Sequence, residues 1–467
     1  MIGASVAEPR RRGRSVLGGQ PLTFSAGAAS RLSLEVSFEE GALLPDGAEL
    51  QWVEIEAAQV VRLGRCRFAA QNGAREGAAG RLLFLDEVYD CRSLIRDGRL
   101  IDLRGFFQNL PLVLLQRERI RPEFKEHCAR VVYDLAVYKR FFDEQDRIID
   151  EEPADVAGAA REALLKADGR RFLGFLDEKV RELDALVHDY TYEEHERHGF
   201  YLRRLLWPYL MSGKILRRSN LKPQGYAGDA EMMIMVYENS YAGRTVFDQL
   251  MHKHAVETAA AEAVRSRRRL VPRVLREVEE RVGDPGPDGF HLLSLAAGPA
   301  SELEEVFHGP GDVQRFNLTL LDQDPVALDL ARATVRRIEV ARGAALSVRY
   351  LQQSVRTVIR SRDLGSVVGR HHFVYSMGLF DYLSAPVARA VLAKIWEVVR
   401  PGGTLLAGNF HSSTASRYHM AYWADWSLWY RTEESFLALA EGLEYSSARI
   451  DFDETGCQMF LRLEKSA

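Results

Sequence analysis

Residues 290–324 constrain this chain more than any other stretch. Phe290-His-Leu-Leu-Ser-Leu-Ala-Ala-Gly298-Pro-Ala-Ser-Glu302 is an apolar run that exits through small residues. A helix-prone segment follows. A second apolar run, Phe316-Asn-Leu-Thr-Leu-Leu-Asp322-Gln-Asp324-Pro, then ends in an acid. That order predicts a βαβ unit shaped for a nucleoside. Ala296, Ala297 and Gly298 let backbone approach the ligand, and Asp322 is placed to accept two ribose hydroxyls. It lies 24 positions after Gly298 (322 − 298), near the roughly 20 expected of such a carboxylate. A pyrophosphate-binding turn needs three glycines. Ala296-Ala-Gly298-Pro-Ala-Ser301 has only one, which argues against nicotinamide and flavin dinucleotides.

The following segments extend the pattern. Val348 to Ser354 predicts a third strand that leaves through Gln353 and Ser354, and His372 to Leu383 a fourth whose exit holds Ser376, Gly378, Asp381 and Tyr382. Val387, Val391, Leu392, Ile395 and Val398 fall at helical spacing, and Pro401-Gly-Gly403 stops that helix. Thr404 to His411 reads as a fifth strand, and Tyr445–Ile450 with Gln458–Leu463 as a closing hairpin.

In order and spacing these residues resemble the class I S-adenosylmethionine-dependent methyltransferases over 283–467. The resemblance implies an α/β, Rossmann-like domain with a mostly parallel seven-stranded sheet and S-adenosyl-L-methionine as cofactor. It implies a cofactor site built from Ala296, Gly298, Pro299, Glu302, Asp322, Gln323, Gln353, Ser354, Ser376 and Gly378. The departure is Ala296 and Ala300, where relatives usually carry glycine. More narrowly, Leu221-Lys-Pro-Gln-Gly225-Tyr226-Ala-Gly228-Asp229, Leu320-Leu-Asp-Gln-Asp324 and Gly378-Leu-Phe-Asp-Tyr-Leu383 are similar to bacterial proteins described as extracellular-factor 3-hydroxypalmitic acid methyl ester biosynthesis enzymes. That similarity implies carboxyl O-methylation of a 3-hydroxy fatty acid or a similar small acid.

A sulfonium already activates its methyl group, so the protein mainly aligns the acceptor and excludes water. A carboxylate acceptor is ionised at neutral pH and needs no base, whereas a hydroxyl usually does. Asp381, Tyr382 and His411 are the catalytic candidates at the ends of strands four and five, with His411 as base for a hydroxyl. Asn409 is a substrate-side candidate. Strand four lacks the Asn/Asp-Pro-Pro-aromatic sequence of enzymes that methylate exocyclic amines of bases, which points away from nucleic acid. Two other readings compete. One is a regulatory protein that binds S-adenosylmethionine or a nucleotide without turnover. The other is an NAD-dependent oxidoreductase, which the missing glycines disfavour.

Composition narrows the setting. The net charge of −4 gives no footprint for nucleic acid or an anionic membrane. No run of about 18 apolar residues predicts a membrane span, and Arg10-Arg-Arg-Gly-Arg14 lacks the apolar segment of an export signal. Cys66, Cys91, Cys128 and Cys457 are isolated, as expected for thiols in a reducing cytoplasm. Glu194, His195 and His198 have the look of scattered metal ligands, but their polar setting predicts solvent exposure, and no metal is expected.

Four regions are expected: a disordered basic tail over 1–19, a β-rich barrel-like domain over 20–108, a helical adaptor or lid region over 109–282, and the methyltransferase-like domain over 283–467. The second resembles a PilZ-like domain, whose cyclic dinucleotide is held by paired arginines and an Asp/Asn-x-Ser-x-x-Gly turn. Arg10 and Arg14 have the arginine spacing, but Glu35-Val-Ser37-Phe-Glu-Glu-Gly41 has one residue too many and Glu for Asp. That mismatch favours a structural barrel over a nucleotide sensor. Within the helical region, Arg265-Ser-Arg267-Arg268-Arg269 reads as a solvated helix face. Asn220 to Met233 reads as a loop leading into a helix that Asp229 can cap; it is either a plain helix–helix connection or, as the narrower resemblance implies, a lid whose Tyr226 closes over cofactor or substrate.

Overall fold

The computed structural model describes residues 10–28, 30, 32–39, 42–57, 60–70, 78–86, 88–97 and 118–466. The chain forms two compact units, Met1–Arg119 and Ile120–Ala467.

The first unit is an eight-stranded antiparallel sheet: β1 (Arg11–Leu17), β2 (Gln20–Ala28), β3 (Ser33–Phe38), β4 (Glu49–Leu50), β5 (Val53–Glu56), β6 (Val60–Leu63), β7 (Cys66–Ala70) and β8 (Ala79–Phe84). The order is β4-β7-β8-β3-β2-β1-β5-β6. Alternate residues such as Phe24, Ala26, Leu34 and Val36 fill its core, as period-two patterning requires. The expected disordered tail is corrected here, because Arg11–Leu17 is a strand. Its inward residues are Gly13 and Ser15, too small to register as an apolar alternation. Gly13 is needed because a Cβ there would sit 2.2 Å from the Phe24 ring. The arginines are occupied: Arg10 pairs with Glu35 at 3.7 Å and donates to Ser37, and Arg14 pairs with Glu54 at 2.6 Å. The rest of the suggested nucleotide turn, Glu40-Gly41, lies outside the described residues, as does the expected 108/109 boundary.

The second unit joins the expected helical and α/β regions. Its sheet comprises β9 (Phe290–Leu295), β10 (Phe316–Asp322), β11 (Ser347–Gln352), β12 (His371–Ser376), β13 (Val399–Phe410), β14 (Ser447–Phe452) and β15 (Gln458–Glu464). The order is β11-β10-β9-β12-β13-β15-β14. β9 to β13 pair in parallel, and β15 runs antiparallel to both neighbours. β9, β10 and β12 are buried almost continuously, because helices cover both faces. The Ala259–Val282 and Pro325–Arg342 helices lie on one face, and the Ala385–Glu397 helix on the other.

The helices before the sheet are not a separate domain. Phe124, Phe142, Phe172, Leu206 and Phe247 share a core with Phe410 at the end of β13 and with Met420, Tyr422 and Trp423 beyond it. The Ala259–Val282 helix spans both cores: Ala260 to Val264 pack with the helical layer and Leu270 to Val278 on the sheet. His198 is fully buried rather than solvated; it accepts from the Arg121 N–H at 3.1 Å and pairs with the Glu194 carbonyl. Glu194 closes a capping box with Thr191 and binds Arg121. The polar run therefore begins the Tyr192–Leu210 helix. Among the described residues no helix is long and apolar enough to cross a membrane, and all four cysteines are buried and unpaired.

Candidate functional site

The strand order reverses between β9 and β12, and ligands of open α/β sheets bind beyond the carboxyl ends of the strands at such a point. A cavity of about 420 Å³ opens there. Its sheet-side wall is the β9 exit, Asp322 and Gln323 at the end of β10, Gln353 after β11, and Met377 to Leu379 after β12. Gln224, Gly225, Tyr226 and Gly228 form the opposite wall.

The β9 exit is tightly wound. Ala296, Gly298 and Ala300 have φ of 54°, 56° and 50°, the left-handed region that glycine enters freely and alanine enters at a cost of about 1 kcal/mol or more. Asp322 holds the turn: Oδ2 accepts from the Gly298 N–H at 2.9 Å and Oδ1 from the Asp324 N–H at 3.0 Å. Only about 6% of Asp322 is exposed, and burial pushes its carboxyl upward, partly offset by those N–H groups. No atom would meet a Cβ on Gly298 within 4 Å, so that backbone faces open cavity. Glu302 is also buried, and its Oε1 accepts from the Tyr375 hydroxyl at 2.9 Å.

The loop 222–229 is tied down at both ends. Asp229 is buried, caps the Ala230–Glu238 helix by accepting from the Met232 N–H at 3.0 Å, and binds Arg218 with both oxygens at 2.8 Å. Tyr382 donates to the Ala227 carbonyl at 2.8 Å and accepts from Trp426 Nε1 at 2.9 Å. Tyr226 faces Asp322, Asp324 and Asp229; burial, then those carboxylates, raise its hydroxyl pKa.

Asp381 lines the same cavity. It is buried and accepts from the Phe410 N–H at 2.6 Å. Burial pushes its carboxyl up to about 7, against the opposing charges of Arg267 and Arg431.

The cavity thus gathers Ala296, Gly298, Pro299, Glu302, Asp322, Gln323, Gln353, Gly378, Asp381, Tyr382 and Tyr226 from the predicted set. Five predicted residues stand outside its wall. Ser376 is fully buried beneath it, donating to the Leu295 carbonyl at 2.8 Å. Ser354 caps the Val355–Arg360 helix, and Asp229 anchors the loop from behind. Asn409 is fully buried, donating to the Trp429 carbonyl at 2.9 Å and accepting from Arg431. His411 pairs with Ser413 at 2.7 Å and Glu433 at 3.0 Å, so the expected base is turned elsewhere.

Sequence reasoning missed Arg267, Tyr237 and Trp426, which all line the cavity. Arg267 is only 9% exposed, against the expectation of a solvated face. The signal was available: 264, 267, 271, 274 and 278 form one helical stripe, and its other members are apolar and buried.

No family model matches the chain, and none of the curated proteins matches it. Solved structures similar to it include a possible exported protein from Bordetella parapertussis, at 17% identity over 51% of this chain and 80% of that one, TM-score 0.40. Another is magnesium protoporphyrin IX methyltransferase from Synechocystis with bound S-adenosylhomocysteine, at 11% identity over 44% and 87%, TM-score 0.33. A third is the N-methyltransferase NodS from Bradyrhizobium japonicum with the same ligand, at 13% identity over 43% and 87%, TM-score 0.30.

Proposed function

We propose that residues 120–467 form an S-adenosylmethionine-dependent methyltransferase acting on a small molecule. The observation that carries this reading is the buried Asp322 carboxylate beside the open Gly298 backbone at the strand-order reversal. A carboxylate there suits vicinal ribose hydroxyls, and the single-glycine turn suits a mononucleoside better than a pyrophosphate. Gln323 and Gln353 flank the adenine end, and S-adenosylmethionine supplies the activated methyl group. The residues of the chain bind and orient it, and the loop 222–229 screens it from water.

The acceptor side is the wall of Asp381, Tyr382, Trp426, Phe410 and Leu428. Its aromatic and aliphatic surface suits an apolar acceptor, and a 3-hydroxy fatty acid or similar acid methylated on its carboxyl remains the best candidate. Such an acceptor arrives ionised and needs no base. For a hydroxyl acceptor the buried Asp381, with a pKa near neutrality, replaces His411 as the candidate base.

Isothermal titration calorimetry with S-adenosylmethionine, S-adenosylhomocysteine and NAD tests the cofactor class. Binding of the first two without NAD is the expected result. Binding of NAD alone, or of none, would overturn the proposal. Conversion to S-adenosylhomocysteine on adding hydroxy fatty acids then separates an enzyme from a non-catalytic binder.

A further inference from the structure

Four charged side chains in the cavity wall are buried: Arg267, Glu302, Asp322 and Asp381. Asp322 belongs to the ribose end and Asp381 to the acceptor wall, which leaves Arg267 and Glu302. Arg267 projects from the Ala259–Val282 helix over the β12 exit. A Cβ on Gly378 would lie 3.2 Å from its Nη1. Its Nη1 donates to the Met377 carbonyl and its Nη2 to the Met233 sulfur, each at 3.2 Å. Among the described residues no carboxylate stands within the 4.0 Å of an ion pair with Arg267, although Glu302 and Asp381 both act on it electrostatically. A guanidinium has five N–H donors. A buried cation without a contact anion is costly, which is the condition that an anionic ligand group relieves.

Position along the sheet indicates which group. Asp322 ends β10, the Ala296–Gly298 turn follows β9, and Gly378 follows β12, so Arg267 and Glu302 stand at the end of the cavity away from the adenosine. We propose that these two residues read the amino-acid end of the cofactor: the Arg267 guanidinium pairs with its α-carboxylate, and the Glu302 carboxylate accepts from its α-ammonium. Arg267 is then a binding residue supplied by a helix that precedes the sheet. This inference rests on the methyltransferase reading.

The test compares S-adenosylhomocysteine with methylthioadenosine, which keeps the adenosine and thioether but lacks the amino-acid end. Wild-type protein binds the first about tenfold or more tightly, the worth of a charge-assisted contact. Arg267→Met and Glu302→Gln collapse that preference while leaving methylthioadenosine affinity unchanged. A variant that keeps the preference, or loses both ligands equally, would overturn the assignment. Should either variant fail to fold, the wild type decides through an S-adenosylhomocysteine analogue lacking only the carboxylate: undiminished affinity refutes the Arg267 contact. Failure of the underlying reading looks different, because wild-type protein would then bind neither nucleoside.

Discussion

Asp322 already accepts one N–H on each oxygen, from Gly298 and Asp324. A carboxylate offers about four acceptor positions, so two remain for a pair of hydroxyls. Asp322→Ala removes both and unties the turn; cofactor affinity falls about tenfold or more. Calorimetric titration checks this, and unchanged affinity would end the assignment. Asp381 makes a separate prediction. Its carboxyl is pushed up to about 7 in the folded protein, against about 3.9 unfolded. The folded state therefore binds its proton more tightly, and the associated stability is lost as pH rises from about 4 to about 7. Asp381→Asn stays neutral, so its stability relative to wild type rises across that window, by at most about 1.4 kcal/mol per pH unit. Urea unfolding at several pH values measures it, and parallel curves would remove the claim. The same variant abolishes a base-dependent reaction on a hydroxyl acceptor but spares a carboxylate acceptor.

At the scale of elements, the loop 222–229 supplies the cavity wall opposite the sheet. Gly228 has φ of 80°, and a Cβ there would meet the Tyr382 hydroxyl at 2.2 Å and Trp426 at 2.5 Å. Gly228→Ala adds left-handed strain of about 1–2 kcal/mol to overpacking of about 1–3 kcal/mol. It should lower the urea midpoint and weaken cofactor binding together. A fully stable variant would mean that the loop does not dock on Tyr382. Strands β9, β10, β12 and the part of β13 from Thr404 were legible in the sequence because continuous apolar runs leave few alternatives to a buried parallel strand. The first strand, β1, was not, since its inward residues Gly13 and Ser15 carry no hydrophobic signal. The Ala259–Val282 helix was found, yet the orientation of its arginines was misjudged, because the Arg265–Arg269 run hides the burial of one member.

At the scale of the whole molecule, among the described residues one core lies within the first unit, spanning Leu22 to Ile95, and three lie within the second, spanning Ile120 to Leu463. Residues 120–467 expressed alone should unfold cooperatively and bind S-adenosylhomocysteine with the affinity of the full chain; calorimetry on both proteins checks it. A cut at 283 should fail, because it strips Phe410, Met420 and Trp423 of the helices that bury them. Apolar area exposed in that way costs about 25 cal/mol for each square ångström.

The strand runs, the small-residue turn, the acid 24 positions beyond Gly298 and the loop with its helix cap are written in the order of amino acids, since each depends on local periodicity or turn chemistry. Long-range packing settles that His411 turns to Glu433, that Asn409 and Ser376 are framework, that Arg267 enters the cavity and that the helices share a core with the sheet. Those outcomes depend on contacts between residues tens to hundreds of positions apart. No local pattern encodes them, because the direction of a side chain is settled by what packs against its element.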